Sequence, residues 1–221
     1  MTTIPQLSNP ARIRQRARPV TLPAWDENPP PPGELPRIIC LFTAARDLDP
    51  LVFLRQAQGS ERFFWSEPRS QTADPLVLAG AGIAAEIIVP PVLAADDDNG
   101  RGLADDRFRT VVEQARHLFR DAYIHEIGDG SRRSGDDAGL INPLLRPRLF
   151  GGFAFQDHFT PDNTWSVFNP AHFVLPHYLL IERQGNRYLA INALLSPHED
   201  LPAAIQALEE ALLARLALPA K

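Results

Sequence analysis

Apolar runs bounded by charged or turn-forming residues predict six strands along this chain. They lie at residues 37–43, 61–66, 76–89, 148–155, 173–183 and 187–195. The last two runs flank Gln184-Gly185-Asn186, a sequence typical of a tight turn, and so predict a hairpin. Gly80 and Gly82 interrupt the third run and predict a bend or bulge there.

Helix signals are fewer. Asp49 is a suitable N-cap, Pro50 suits the first helical position and Gly59 suits a helix end, which together predict a short helix at about 50–57. Residues 104–123 carry apolar side chains at intervals of three and four: Phe108, Val111, Val112, Ala115, Leu118, Phe119 and Ala122. Such spacing predicts a long amphipathic helix.

A third helix begins near Asp200. It carries Leu201, Ile205, Leu208, Leu212 and Leu216 on one side. Strands interspersed with a few helices, without a strict βαβ rhythm, indicate an α+β fold in which a largely antiparallel sheet packs against helices.

The chain divides into two parts of different composition. Residues 1–36 are rich in proline and arginine and include Pro29-Pro30-Pro31-Pro32-Gly33, which neither a helix nor a central strand accommodates. We expect an extended or poorly ordered arm there and a single α+β domain at 37–221.

Composition excludes several classes of partner. A net charge of −5 over 221 residues argues against nucleic acid, because phosphate binding needs a basic surface. No apolar run reaches the roughly 18 residues that span a bilayer, so no membrane association is expected. The N-terminus lacks the apolar core of a secretion signal. The single cysteine, Cys40, lies in an apolar run and is expected to be a buried structural thiol, which fits a reducing cytoplasm.

One stretch matches a nucleotide-binding pattern. Gly80-Ala81-Gly82-Ile83-Ala84-Ala85 fits the G-x-G-x-x-A dinucleotide fingerprint. The fingerprint requires a helix whose N-terminus holds the pyrophosphate. Here β-branched residues and Pro90-Pro91 follow, so no helix of useful length is expected and no cofactor-binding residue is predicted.

Neither the histidines nor the acidic clusters predict a metal site. The histidines are His117, His125, His158, His172, His177 and His198, and no two show helical H-x-x-x-H spacing. The acidic stretches Asp96–Asp98, Asp105-Asp106 and Asp136-Asp137 do not match a calcium loop and are expected to be solvated. No G-x-S-x-G motif marks a nucleophilic serine. We therefore predict no catalytic, cofactor-binding or metal-ligating residue in this chain.

Gly151-Gly152 lies inside an aromatic strand, which is typical of close backbone approach to a neighbour. The neighbour is expected to be another sheet or helix, and a ligand is the alternative.

The order of several motifs resembles a known family. Phe63-Phe64-Trp65, then Arg148–Phe155 with its Gly-Gly-Phe-Ala-Phe sequence, then Ala171–His177 resemble the N-terminal half of isochorismate synthases, members of the chorismate-utilising enzymes. The resemblance covers roughly 37–218, and the Gly-Gly region is also similar to that of anthranilate and aminodeoxychorismate synthases. It implies a cytoplasmic enzyme of menaquinone or siderophore synthesis.

The resemblance also implies where the chemistry lies. In that family, magnesium-dependent exchange of a hydroxyl on chorismate uses a lysine base and glutamate acid and metal ligands, all in the C-terminal half. Those motifs do not occur in this sequence, whose one lysine is Lys221. We therefore expect this chain alone to be inactive, and to need a C-terminal catalytic half, or a homo-oligomer, as its partner; chorismate would bind only to the complete enzyme.

Two alternatives remain open at this stage. In the first alternative, the chain is a non-catalytic ligand-binding or regulatory module derived from the family, although the Leu-Leu-Glu-Ser signature of feedback-regulated anthranilate synthases is absent. Otherwise it is an unrelated α+β protein.

Overall fold

A computed structural model describes residues 37–67, 75–90, 103–128, 143–154 and 168–219. The strands within these ranges are β1 (Arg37–Ala44), β2 (Arg62–Ser66), β3 (Val77–Val89), β4 (Tyr123–Glu126), β5 (Phe150–Phe153), β6 (Ala171–Arg183) and β7 (Asn186–Leu195). The helices are α1 (Pro50–Gln56), α2 (Leu103–Phe119) and α3 (Leu201–Leu216), with a short 3-10 helix at Pro143–Leu145. The arm predicted at 1–36 lies outside the described residues.

All seven of these strands join one sheet. Its order is β2-β3-β6-β7-β1-β4, and β5 pairs with β6 beside that path. Every pairing is antiparallel except that of β1 with β4. The largely antiparallel α+β fold predicted from the sequence is confirmed. In the described part of the chain, no helix is long and apolar enough to cross a membrane.

The β6–β7 hairpin forms where the sequence predicts it. β6 ends at Arg183 and β7 begins at Asn186, which leaves a two-residue turn. Gln184 has a φ of 52° and Gly185 a φ of 71°. Positive φ at both turn positions matches the right-handed twist of the flanking strands, and glycine adopts it without steric cost.

The two faces of the sheet carry different helices. In β1, Ile39 and Leu41 point to the face covered by α1 and α3, here named the α1/α3 face. Ile38 and Cys40 point to the opposite face, here named the α2 face. Side chains alternate between faces along a strand, so the continuous apolar run at 37–43 reflects a strand buried on both sides.

The α1/α3 face has one hydrophobic cluster, centred on residues such as Phe53 and Leu212, which are fully buried. The Asp49 carboxylate accepts hydrogen bonds from the backbone N–H groups of Leu51 (2.8 Å) and Val52 (3.1 Å). Asp49 is therefore the N-cap of α1, as the sequence predicts.

The C-terminal ends of α1 and α3 cap each other. The Arg215 guanidinium of α3 donates to the carbonyls of Phe53 (3.0 Å) and Gln56 (3.3 Å) at the end of α1. In return, the Gln56 amide donates to the carbonyls of Leu218 (3.2 Å) and Pro219 (3.3 Å), just beyond α3. Arg215 thus supplies a donor to the last carbonyl of α1, that of Gln56, and a second donor to the Phe53 carbonyl, which also accepts from the Ala57 N–H at 3.2 Å.

The α2 face has two hydrophobic clusters, both of which include residues of β1, β3 and β6. The α2 cluster consists of Ile38, Ala84, Ala85, Ile87, Val111, Leu118, Ala171 and Leu175. The 3-10 cluster consists of Cys40, Phe42, Leu78, Leu145, Leu179, Ile181 and Ala190.

The helix predicted at 104–123 is too long. α2 ends at Phe119, and residues 123–126 form β4, which the sequence analysis missed. β4 pairs in parallel with β1, so a tertiary contact determines its conformation rather than local periodicity. The apolar face is also narrower than predicted, because Phe108 and Val112 are 44% and 45% exposed.

β3 is irregular beside Gly82. The register with β6 shifts between Ile83 and Ala85, and Gly82 has a φ of +68°. The bulge predicted in this strand is therefore confirmed, and it lies between Ile83 and Ala85, just after Gly82. Gly80 has another role: a Cβ there would overlap the Phe63 ring, which packs directly over it.

Candidate functional site at the junction of β5, β6 and β7

β6 pairs with two different strands along the same edge. Tyr178–Arg183 pair with β7, and Ala171–Val174 pair with β5. Residues 175–177 lie between these two ladders, so their backbone groups on that edge need side-chain partners.

Two side chains bridge the gap. The backbone carbonyl of Asn192 lies 2.8 Å from Nδ1 of His177, and the Asn192 amide donates to the carbonyl of Pro176 at 2.8 Å. Each strand thus supplies one side chain to the other strand's backbone. The pair holds β6 and β7 together beyond the end of their ladder.

His177 has a defined protonation pattern. Because a carbonyl only accepts, Nδ1 carries the proton, and Nε2 of the neutral ring is an acceptor. Burial lowers the pKa of His177 below its ordinary value of 6.5, while the hydrogen bond to the Asn192 carbonyl opposes that change. The neutral ring is the form that this site favours.

Three of these groups lie in a row across the sheet, here named the polar row: His177, Asn192 and Cys40. His177 lies between Leu175 of the α2 cluster and Leu179 of the 3-10 cluster on the same side of β6. Cys40 is the register partner of Asn192 in the neighbouring strand. The polar row therefore lies where the two clusters meet, and its Cys40 forms the edge of the 3-10 cluster.

Asn192 is buried, with 1% of its surface exposed. Its Oδ1 has no hydrogen-bond partner within the described part of the chain. An unsatisfied buried acceptor costs about 1–3 kcal/mol. The bond from its amide nitrogen to the Pro176 carbonyl is what the residue contributes to the junction.

Cys40 is a structural thiol, as predicted. Burial raises the pKa of the thiol to about 12, and the Arg148 charge lowers it only in part. A thiol with that pKa is protonated at neutral pH and is a poor nucleophile. Arg148 itself donates to the carbonyls of Pro143 (3.1 Å) and Leu144 (2.6 Å), which fixes the 3-10 helix above the sheet.

The two glycines of β5 have different surroundings. A Cβ on Gly151 would lie 2.0 Å from the backbone oxygen of His172 and 2.6 Å from the Cα of Phe173. The close approach predicted for this pair is confirmed at Gly151, and the neighbour is the backbone of β6. Gly152 is exposed, and a Cβ there would meet no described atom within 4 Å.

β5 links the two clusters of the α2 face. The Phe150 ring lies 4.3 Å from that of Phe63, in the 3-10 cluster. The Phe153 ring lies 4.3 Å from that of Phe108 and 4.9 Å from that of Phe173 beside the α2 cluster. The glycines occupy the two positions between these anchors.

The apparent dinucleotide fingerprint lies within a strand. Residues 80–85 belong to β3, which continues to Val89 without a helix. The fingerprint requires a turn and the start of a helix at these residues, and they form strand instead. The absence of a cofactor-binding residue here stays a prediction.

The described histidines lie on α2, β4 and β6 and in the turn before α3. His125 lies on β4, and Nε2 of His172 lies 3.3 Å from a carboxylate oxygen of Glu86 across β6 and β3. His158 and the acidic stretches at 96–98 and 136–137 lie outside the described residues, as do the side chains of Asp105 and Asp106. Over the described ranges, three or more metal-ligating side chains do not come together. These residues do not fit a magnesium site, and no catalytic step through magnesium is derived from them.

Comparison with known proteins now identifies the class. The family described as "Chorismate binding enzyme" matches residues 33–218, so this chain belongs to the chorismate-binding enzymes. Its resemblance to chorismate-utilising enzymes, predicted from the motif order, is confirmed.

A curated relative is the isochorismate synthase MenF of Bacillus subtilis. It is 28% identical over 166 residues, which cover 73% of this chain and 30% of the relative. The chain thus spans under a third of the length of this relative.

Proposed function

We propose that this chain is the N-terminal part of an isochorismate synthase-like enzyme, which converts chorismate to isochorismate for menaquinone or siderophore synthesis. The single observation that carries the proposal is membership of the chorismate-binding enzymes over residues 33–218. The match to an isochorismate synthase favours this reaction over the others known in the family.

The proposal assigns catalysis to residues outside this chain. The base, the acid and the magnesium ligands would come from a C-terminal catalytic half, and the chain described here would supply the sheet on which that half assembles. Its buried groups are consistent with a scaffold, since the Cys40 thiol is protonated and His177 is engaged in bridging two strands.

The test compares the purified chain with the native complex. Each would be incubated with chorismate and Mg²⁺, and isochorismate would be measured by chromatography. We expect turnover from the complex, none from the chain alone, and recovery when a catalytic half is co-expressed.

Turnover by the chain alone would contradict the assignment of catalysis elsewhere. A native complex that contains the chain and lacks isochorismate synthase activity would contradict the reaction itself. Addition of excess EDTA to the active complex provides the control for magnesium dependence.

A further inference from the structure

The outer surface of β5 has a glycine that the fold itself does not require. Gly151 must be glycine, since a Cβ there would overlap the β6 backbone. Gly152 is surrounded by open space among the described residues, and glycine weakens a strand unless something approaches it closely.

β5 also offers a backbone edge. Among the described residues it pairs with β6 alone. The Ala154 N–H donates to the Pro170 carbonyl, so the alternation of an antiparallel ladder turns the N–H and C=O groups of Gly151 and Phe153 away from β6. An outward-facing row of donors and acceptors is a template for another strand.

An apolar surface adjoins this edge. Phe108 and Val112 lie one helical turn apart on α2 and are 44% and 45% exposed. The Phe108 ring contacts that of Phe153, which connects the helix surface to β5. An apolar stripe next to a strand edge that pairs with no second described strand suits a partner that contributes an extended segment with apolar side chains.

We infer that the outward edge of β5, together with Phe108 and Val112, is the docking surface for the catalytic part of the enzyme, in the same chain or another. This inference rests on the proposed function. The occupant is chosen from the comparison with the isochorismate synthase of Bacillus subtilis. The match covers only 30% of that relative, which leaves most of a chorismate-binding enzyme to pack against this sheet. Gly152 carries no Cβ, so the face of β5 beside that edge has room for the incoming segment.

The test uses photo-crosslinking in the full chain, expressed in its own cells. Benzoylphenylalanine replaces Val112 in one variant and Leu213 in a matched control, since Leu213 is 52% exposed on α3. We expect crosslinked peptides from a chorismate-binding catalytic part at position 112 and not at position 213.

Other outcomes overturn the inference. If position 112 crosslinks only a second copy, or the catalytic part crosslinks only at position 213, the surface is wrong while the proposed function stands. If native complexes contain no chorismate-binding catalytic part at all, the proposed function fails as well.

A second pair of variants separates folding from docking. Gly152→Val should leave the melting temperature of the isolated chain unchanged or higher and weaken binding of the catalytic part at least tenfold. Gly151→Ala should lower the melting temperature of the chain itself. Full-affinity binding by a folded Gly152→Val variant would overturn the inference.

Discussion

The two faces of this sheet are built differently. The α1/α3 face has one hydrophobic cluster, and its two helices satisfy each other's terminal carbonyls. The α2 face has two clusters, with His177 and Asn192 between them and Cys40, the third member of the polar row, at the adjoining edge of the 3-10 cluster. We infer that the first face provides stability, whereas the second accommodates the change of strand partner at β6 and presents exposed apolar groups.

The largest expected difference between the faces is in the free energy of unfolding that is lost when a side chain is replaced by alanine. Phe53→Ala on the α1/α3 face should lower the free energy of unfolding by about 3–5 kcal/mol, because it empties a fully buried site. Phe108→Ala on the α2 side should cost about 1 kcal/mol or less, since 44% of that residue is already exposed to solvent. Urea denaturation of both variants measures the difference; equal losses would show that the two faces contribute alike.

The mutual capping of α1 and α3 should have an intermediate effect. Arg215→Met keeps an apolar stem and removes two charged donors, which should cost about 1–3 kcal/mol. Arg183→Met, at an exposed position of the hairpin, is the matched control and should change stability by less than about 0.5 kcal/mol. Chemical denaturation distinguishes them, and indistinguishable midpoints would remove the capping argument.

The polar row predicts a pH dependence specific to the α2 face. The folded pKa of His177 lies below 6.5, so the unfolded chain binds more protons between the two values. The stabilisation that neutral His177 contributes is therefore fully present above pH 6.5. The free energy of unfolding decreases as pH falls from 6.5 toward the folded pKa.

His177→Gln should flatten this part of the melting-temperature profile. His172→Gln should leave it in place, because His172 pairs with β5 and lies outside the junction between β6 and β7. A wild-type profile with no loss of stability below pH 6.5 would contradict the assignment.

The smallest expected effect concerns the reactivity of the Cys40 thiol, which reports whether the α2 face opens. Its thiol, with a pKa of about 12 and no exposed surface, should not react with a thiol reagent at pH 8 in the native chain. It should react fully once denaturant unfolds the protein. Rapid labelling of the native chain would indicate that the α2 face opens at the boundary between its clusters.

Local signals were sufficient for much of the fold. Asp49 and Pro50 located the start of α1, and the Gln184-Gly185-Asn186 turn located the hairpin, because capping and turn geometry depend on a few adjacent residues. The motif order around Gly151-Gly152 led to the family.

Features that depend on distant strands were not predictable. β4 forms because β1 lies beside it, and periodicity alone extended the preceding helix into it. The bond between His177 and the Asn192 carbonyl arises only because β6 leaves β7 for β5. The alternation of side chains along the strand could place His177 on one face. It gave no information on the break between the β5 and β7 ladders that the His177 side chain bridges.

The mutual capping of α1 and α3 also constrains the order in which parts of the chain fold. Arg215 and Gln56 are 159 positions apart in the sequence. A ribosome releases α1 long before the residue that completes its C-terminal end exists, so the first helix of the domain must wait for the last. Contacts of such separation close late and slow folding. A stalled or truncated chain that lacks Arg215 would therefore leave α1 frayed, although α1 is far from the missing segment along the sequence.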